Sequence, residues 1–219
     1  MTVTQAIVIV SAGLIAGIVN AMAGGGSLLT VALLTIFGDL PGLVANGTNR
    51  IGVAVQNIAS VAGYRRGGIS GLSRAIPVLI PIIIGSIFGS LVVSSLTSES
   101  FERVFGVLML PILFLSLRPP KVSSVEITWR PITTYVVFFA IGIYGGAFQA
   151  GVGLILVVAL ARSGLDLVNA NAVKVFVILV LTFFALPVFI IRNQVDWGFA
   201  AVLALGLSLI HISEPTRPG

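Results

Sequence analysis

The sequence contains no cysteine, so disulfides, zinc–thiolate sites and a cysteine nucleophile are excluded. Its one histidine, His211, falls close to the C-terminus. Charge is scarce: 9% of the 219 residues are Asp, Glu, Lys or Arg, against about 25% in an ordinary soluble domain. So little charge cannot cover a folded chain in water when 57% of its residues are hydrophobic and its mean hydropathy is +1.14. A bilayer supplies the missing apolar solvent, and the same apolar content excludes disorder. The net charge of +5 does not indicate nucleic acid, because no basic run exceeds Arg65-Arg66; the cations are scattered between apolar segments, as membrane-flanking charge is. An ATP-binding motif is absent as well. The first twenty residues hold no Lys or Arg, which argues against a cleaved leader despite the small-residue "AMA" at 21–23.

The C-terminal string "LSLIHISEPTRPG", residues 207–219, starts apolar and turns polar halfway through a span. It resembles the translation of a transposase adapter used in sequencing libraries. The expectation is a non-native tail joined near Gly206, so His211, Glu214 and Arg217 carry no functional reading. Without His211 a rhomboid-like Ser–His protease has no base. Metal-dependent membrane hydrolases need clustered His, Asp or Glu inside the spans, and the apolar interiors of the spans have none; Glu102 and Asp196 stand at span starts. The chain is read as a non-enzyme with no cofactor and no metal.

A spanning helix needs about 20 mostly apolar residues. Such segments occupy 44–64, 72–96, 101–117 and 168–191, and a further one begins at 195. Residues 4–37 and 131–161 are too long for one simple helix, and each is broken by glycines: "NAMAGGGSLLTVALL" from Asn20 and "GAFQAGVGLILVVAL" from Gly146. Glycine costs about 1 kcal/mol relative to alanine inside a helix, so its place in the longest apolar runs asks for a reason.

The two breaks belong to a repeat. With Ala23 on Ala150, Gly24 meets Gly151, Gly26 meets Gly153, and "LLTVALL" lies on "ILVVALA". After a three-residue deletion "LVANGTNRIGV" lies on "LVNANAVKVFV", which sets Arg50 on Lys174. The expected architecture is all-α and polytopic, a duplicated four-helix unit with two glycine-broken helices and about seven spans of an expected eight. Residues 1–117 form the first repeat, 118–130 a cytoplasmic linker, and 131–206 an incomplete second repeat. Arg65, Arg66 and Arg74, and then Arg118, Lys121 and Arg130, mark two basic loops expected in the cytoplasm. Both fall on one side, with the N-terminus inside, if each broken segment crosses once. If each dips in and returns, the repeats are inverted. Repeats with matching broken segments are the usual sign of a secondary transporter, its site where the breaks meet.

These residues resemble the TauE/SafE family of membrane transporters, often called sulfite exporters. The pattern that carries the likeness is "GIVNAMAGGGSLLTVALL" followed by "ANGTNRIGVAVQNIASVAGYRRG", with "GAFQAGVGLILVVAL" and "NANAVK" as second-half counterparts. It covers about residues 6–206. The resemblance implies a duplicated four-helix unit and transport of small sulfur-containing anions such as sulfite, sulfoacetate or other organosulfonates.

A helix broken in mid-membrane exposes unpaired N–H groups at the start of its second half, which would suit an anion. Gly24, Gly25 and Gly26 would admit substrate to the backbone, with Ser27 adding a hydroxyl and Asn20 capping or lining the break. Gly151 and Gly153 would act likewise in the second half, beside Gln149. The alternative is that these glycines are packing notches, the reading given to Gly13/Gly17 and Gly85/Gly89. Arg50 and Lys174 each lie several residues inside an apolar run, where a cation costs roughly 2.5–3.5 kcal/mol. Each needs an anion, a carbonyl or water, unless it snorkels to the headgroups. Thr48, Asn49, Asn57 and Asn171 could complete the shell. The functional expectation is a transporter of small anions in the bacterial inner membrane. Its partners are a small anionic substrate and the lipid bilayer, with a homo-oligomer open and no nucleic acid. The alternatives are a flippase of lipid-linked anions or an anion channel.

Overall fold

Each apolar run becomes helix, and among the described residues the chain leaves helix at intervals bearing glycine or proline such as 37–41 and 148–151. The computed structural model describes residues 2–23, 25–69, 72–117, 130–162 and 167–213. Among them are α1 (Val3–Ala23), α2 (Gly26–Ile36), α3 (Gly42–Arg66), α4 (Leu72–Ser94), α5 (Ser98–Leu117), α6 (Pro131–Ala147), α7 (Val152–Arg162), α8 (Leu167–Ile191) and α9 (Trp197–Ser213), and no strand. Three of these helices hold stretches long and apolar enough to cross a bilayer, Val3–Asn20, Ala75–Ser94 and Val168–Ile191. The chain is an all-α polytopic membrane protein. Local chemistry fixes the ends. Pro131 opens α6 at a position where its missing N–H goes unused. Pro41 precedes α3, whose first N–H, on Gly42, donates to Glu102 Oε1 of α5 at 3.0 Å.

The outer faces are apolar. On α4, Ile76, Ile80, Ile84, Phe88 and Leu91 are exposed at helical spacing, and on α5 so are Val107, Leu110 and Phe114; such stripes suit lipid. The inner face of α4 is small instead. A Cβ on Gly85 or Gly89 would run into the backbone of Phe139 or Ile143, and one on Gly146 into Ser86. Helices α4 and α6 thus meet glycine against glycine. Gly13 of α1 meets Gly206 of α9 in the same way. These are close approaches of the small-residue kind.

Contacts fix the direction of each helix. Pairing of Gly85 with Phe139 and Gly89 with Ile143, each step four residues on both helices, makes α4 and α6 parallel. Gly47 lies against Gln194, and Gly52 against Leu203 and Leu207, so α3 and α9 are parallel. Helix α8 turns back into α9 within a few residues, and Arg50 lies over Phe189, near the end of α8. The central pair α3 and α8 is therefore antiparallel, although the two helices occupy equivalent places in the repeat.

The glycine breaks explain the inversion. Gln5, near the start of α1, donates from Nε2 to Phe37 O, just past the end of α2, at 3.1 Å. Ile9 and Ala16 of α1 share a core cluster with Val31 and Leu34 of α2. Helix α2 thus folds back along α1. A Cβ on Gly26 would collide with Ala16 O and the backbone of Asn20, so glycine permits this return. In the second half α6 and α8 both run with α4, and α7 between them must turn back too. Each break is a re-entrant half-helix rather than a kink in one crossing.

The sidedness expected from single crossings is corrected accordingly. The start of α1 lies at the end of the bundle opposite Arg65 and Arg66. The ends of α3 and α5 and the starts of α4 and α6 share the other end, so the two basic loops flank one face; Arg118 and Lys121 lie outside the described residues. The units also interlock: α4 packs on α6 and α8, and α9 on α1 and α3.

Candidate binding site at the glycine breaks

Among residues with described side chains, the buried charges are Arg50 and Lys174. Both are cations, and no carboxylate is buried with them. Neither snorkels: Arg50 is 0% exposed and Lys174 2%. Their surroundings differ. Arg50 Nη1 donates to Gly145 O at 3.3 Å, and Nη2 to Gly146 O at 2.6 Å and Ala147 O at 3.0 Å. These carbonyls end α6, where a helix leaves them unpaired and its dipole is negative. Asn46 Nδ2 donates to the same Ala147 O at 2.8 Å. The Phe189 ring centroid lies 4.4 Å from the guanidinium carbon, within range of a cation–π contact. Lys174, on α8, has no hydrogen bond or ion pair among the described residues.

At the first break, Gly25 caps α2 and is buried with Gly26 and Ser27. Gly24 lies outside the described residues. Thr30 donates to Asn49 Oδ1 at 2.5 Å, which ties α2 to α3 and leaves Asn49 Nδ2 buried without a partner. Asn20 Nδ2 donates to Gln56 Oε1 at 2.7 Å, and Gln56 Nε2 to Gly17 O at 3.3 Å. The end of α1 is thereby fastened to α3.

At the second break, Gln149 is held at φ 58°, a left-handed conformation uncommon outside glycine. Its Nε2 donates to Thr182 Oγ1 of α8 at 2.8 Å, while Oε1 is buried without a partner. Gly151 has φ 74°, and Gly153 is buried on α7. Tyr144 OH donates to Ala150 O at 2.5 Å, bracing the loop. Leu28 of α2 packs on the cluster that holds Ala147, Phe148 and Ala150, so the two breaks share one interior.

Two of the other sequence-derived candidates, Thr48 and Asn57, hold structure in place. Thr48 Oγ1 accepts from Asp196 N at 2.9 Å, at the start of α9. Asn57 Nδ2 donates to Val53 O of its own helix at 2.7 Å. Asn171, one turn before Lys174, keeps a buried Oδ1 without a partner. Sequence reasoning passed over Asn46, Gln56, Thr30 and Thr182. The first two had a signal: Asn46, Arg50, Val53, Asn57 and Ser60 recur at helical spacing, with Asn49 and Gln56 beside them, on the buried face of α3. Thr30 and Thr182 are single threonines in apolar helices and had none.

Known proteins extend this picture. The family model described as sulfite exporter TauE/SafE matches residues 9–211. The chain is 25% identical over 201 residues to "Probable membrane transporter protein ORF9" of Sinorhizobium sp, covering 89% of this chain and 76% of that one. It is 25% identical over 200 residues to a "Probable membrane transporter protein" of Haemophilus influenzae, covering 89% and 77%. No solved structure matches.

Proposed function

The chain belongs to the sulfite exporter TauE/SafE family, a family of membrane transporters, and on that footing we propose that it carries small anions, sulfite or organosulfonates, across the bacterial cytoplasmic membrane. The observation that carries this reading is the pair of buried cations without a buried carboxylate, in an interior shared by two inverted halves. An uncompensated positive interior stabilises an anion and repels a cation. Two half-helices begin there, and the positive ends of their dipoles add to the same preference. The inverted arrangement supplies the second requirement of a carrier. Two halves of opposite orientation can exchange conformations, so the site opens first to one face and then to the other. The arginine-bearing end faces the cytoplasm by the positive-inside rule, which places the start of α1 outside.

The test is flux into proteoliposomes loaded with the full-length protein. Labelled sulfite, thiosulfate, sulfoacetate and sulfate are offered with and without an imposed membrane potential. Saturable uptake of sulfite or sulfoacetate above protein-free vesicles is expected. Flux that does not saturate favours the channel alternative, and no flux of any of the four removes the anion-transport reading.

A further inference from the structure

We propose that the two buried cations, equivalent by the repeat, do different work: Lys174 contacts the transported anion, while Arg50 is a positioning residue that locks the end of α6. The Lys174 assignment rests on the anion-transport reading above; the Arg50 assignment stands on geometry alone.

Both terminal nitrogens of the Arg50 guanidinium are taken by the protein, which leaves Nε as its buried nitrogen without a partner. Its planar fork spans three successive carbonyls, Gly145 O, Gly146 O and Ala147 O, a geometry that a single ammonium cannot copy. An anion could take the place of these Nη contacts only by displacing a helix end from the opposite repeat. Asn46 reinforces the lock through Ala147 O, and Phe189 covers it.

Around Lys174 that apparatus is absent. The repeat sets Asn46 on Ala170, which is 0% exposed and has no polar group to add. Asn49, which ties α3 to the half-helix through Thr30, corresponds to the buried Val173. Polarity instead appears where the first repeat has Gly47: there the second has Asn171. At i and i+3 on α8, Asn171 and Lys174 share a face. An ammonium has three donors, and burying it without an acceptor is costly. The buried, unpartnered edge of the Asn171 amide, at Oδ1, completes a small polar site beside it, since the amide can turn either its oxygen or its nitrogen to a ligand there.

Four variants, Arg50→Gln, Arg50→Lys, Lys174→Gln and Lys174→Arg, decide the matter by two measurements: thermal unfolding in detergent without anion, and sulfite or sulfoacetate uptake by proteoliposomes. Arg50→Gln lowers the unfolding midpoint and Arg50→Lys recovers part of the loss; because Arg50→Lys keeps the charge of the interior, its half-saturating concentration moves by less than that of Lys174→Gln. Lys174→Gln unfolds no earlier than the parent and raises the half-saturating concentration about ten- to a hundredfold, the loss of one charge-assisted contact. Lys174→Arg keeps the charge and stays nearer the parent. Unchanged saturation in Lys174→Gln overturns the proposal. So does an Arg50→Gln protein that unfolds like the parent but binds substrate weakly. A parent without flux sinks the transport reading and the role of Lys174 with it; the unfolding of the Arg50 variants still judges the lock.

Discussion

Replacing Gly26 by alanine probes the fold-back of α2 directly. A methyl there would sit 2.6 Å from Asn20 Cβ and 2.8 Å from Asn20 N, and closer still to Ala16 O. These are backbone atoms or the root of a side chain, so no rotamer can relieve the clash. Helix α2 must move off α1 by about an ångström, an overpacking cost of about 1–3 kcal/mol. The shift also stretches the Thr30–Asn49 bond, worth about 1 kcal/mol. The sum, about 2–4 kcal/mol, lowers the unfolding midpoint by roughly 4–16 °C at some 2–4 °C per kcal/mol for a chain of this size. Thermal unfolding in detergent reads it, with Gly63→Ala as the control. A Cβ at Gly63, also inside a helix, meets nothing within 4 Å, and alanine there gains up to about 1 kcal/mol of helix propensity. If Gly26→Ala unfolds indistinguishably from Gly63→Ala, the re-entrant packing is wrong.

Single cysteines report sidedness without background, because the sequence has none of its own. Thr4→Cys and Ser100→Cys react with a membrane-impermeant thiol reagent in intact cells and Gly67→Cys is protected; protection at Thr4 with labelling at Gly67 reverses the orientation. Thr182→Val strips Gln149 Nε2 of its buried acceptor and destabilises by about 1–3 kcal/mol. Thr182→Ser restores most of that in the same unfolding assay, and equal stability of all three proteins would contradict the bond. Glu102→Ala uncaps the Gly42 N–H and costs about 0.5–1 kcal/mol, an effect that shrinks in high salt.

The helices were legible because apolar run length and Gly/Pro punctuation act locally. The run read at 44–64 became Gly42–Arg66, and that at 101–117 became Ser98–Leu117. The hairpins were not legible. A glycine break allows both a straight continuation and a return; the packing of Ile9 and Ala16 beside Val31 and Leu34 decided it. Those residues are of the same types as the lipid-facing Ile7, Ile15 and Leu29, so composition could not separate inward from outward. Arg50 and Lys174 were found as cations within apolar runs, and both are buried. Their unequal surroundings depend on where α6 ends in space, although the Asn46–Ala170 mismatch was already visible between the repeats.

The exchange of helices between halves also governs how the protein is made. Helix α4 emerges with the first repeat, yet the backbone that fills the notches at Gly85 and Gly89 belongs to α6. From Ser94 at the end of α4 to Ala147 at the end of α6 the ribosome adds 53 residues, roughly 3–10 s of synthesis at about 5–20 residues per second. For that interval the first half stands in the bilayer as an empty socket, its glycine groove against lipid tails. Neither half can complete its own core, so a chain divided between residues 117 and 131 would assemble only when both pieces enter the membrane together.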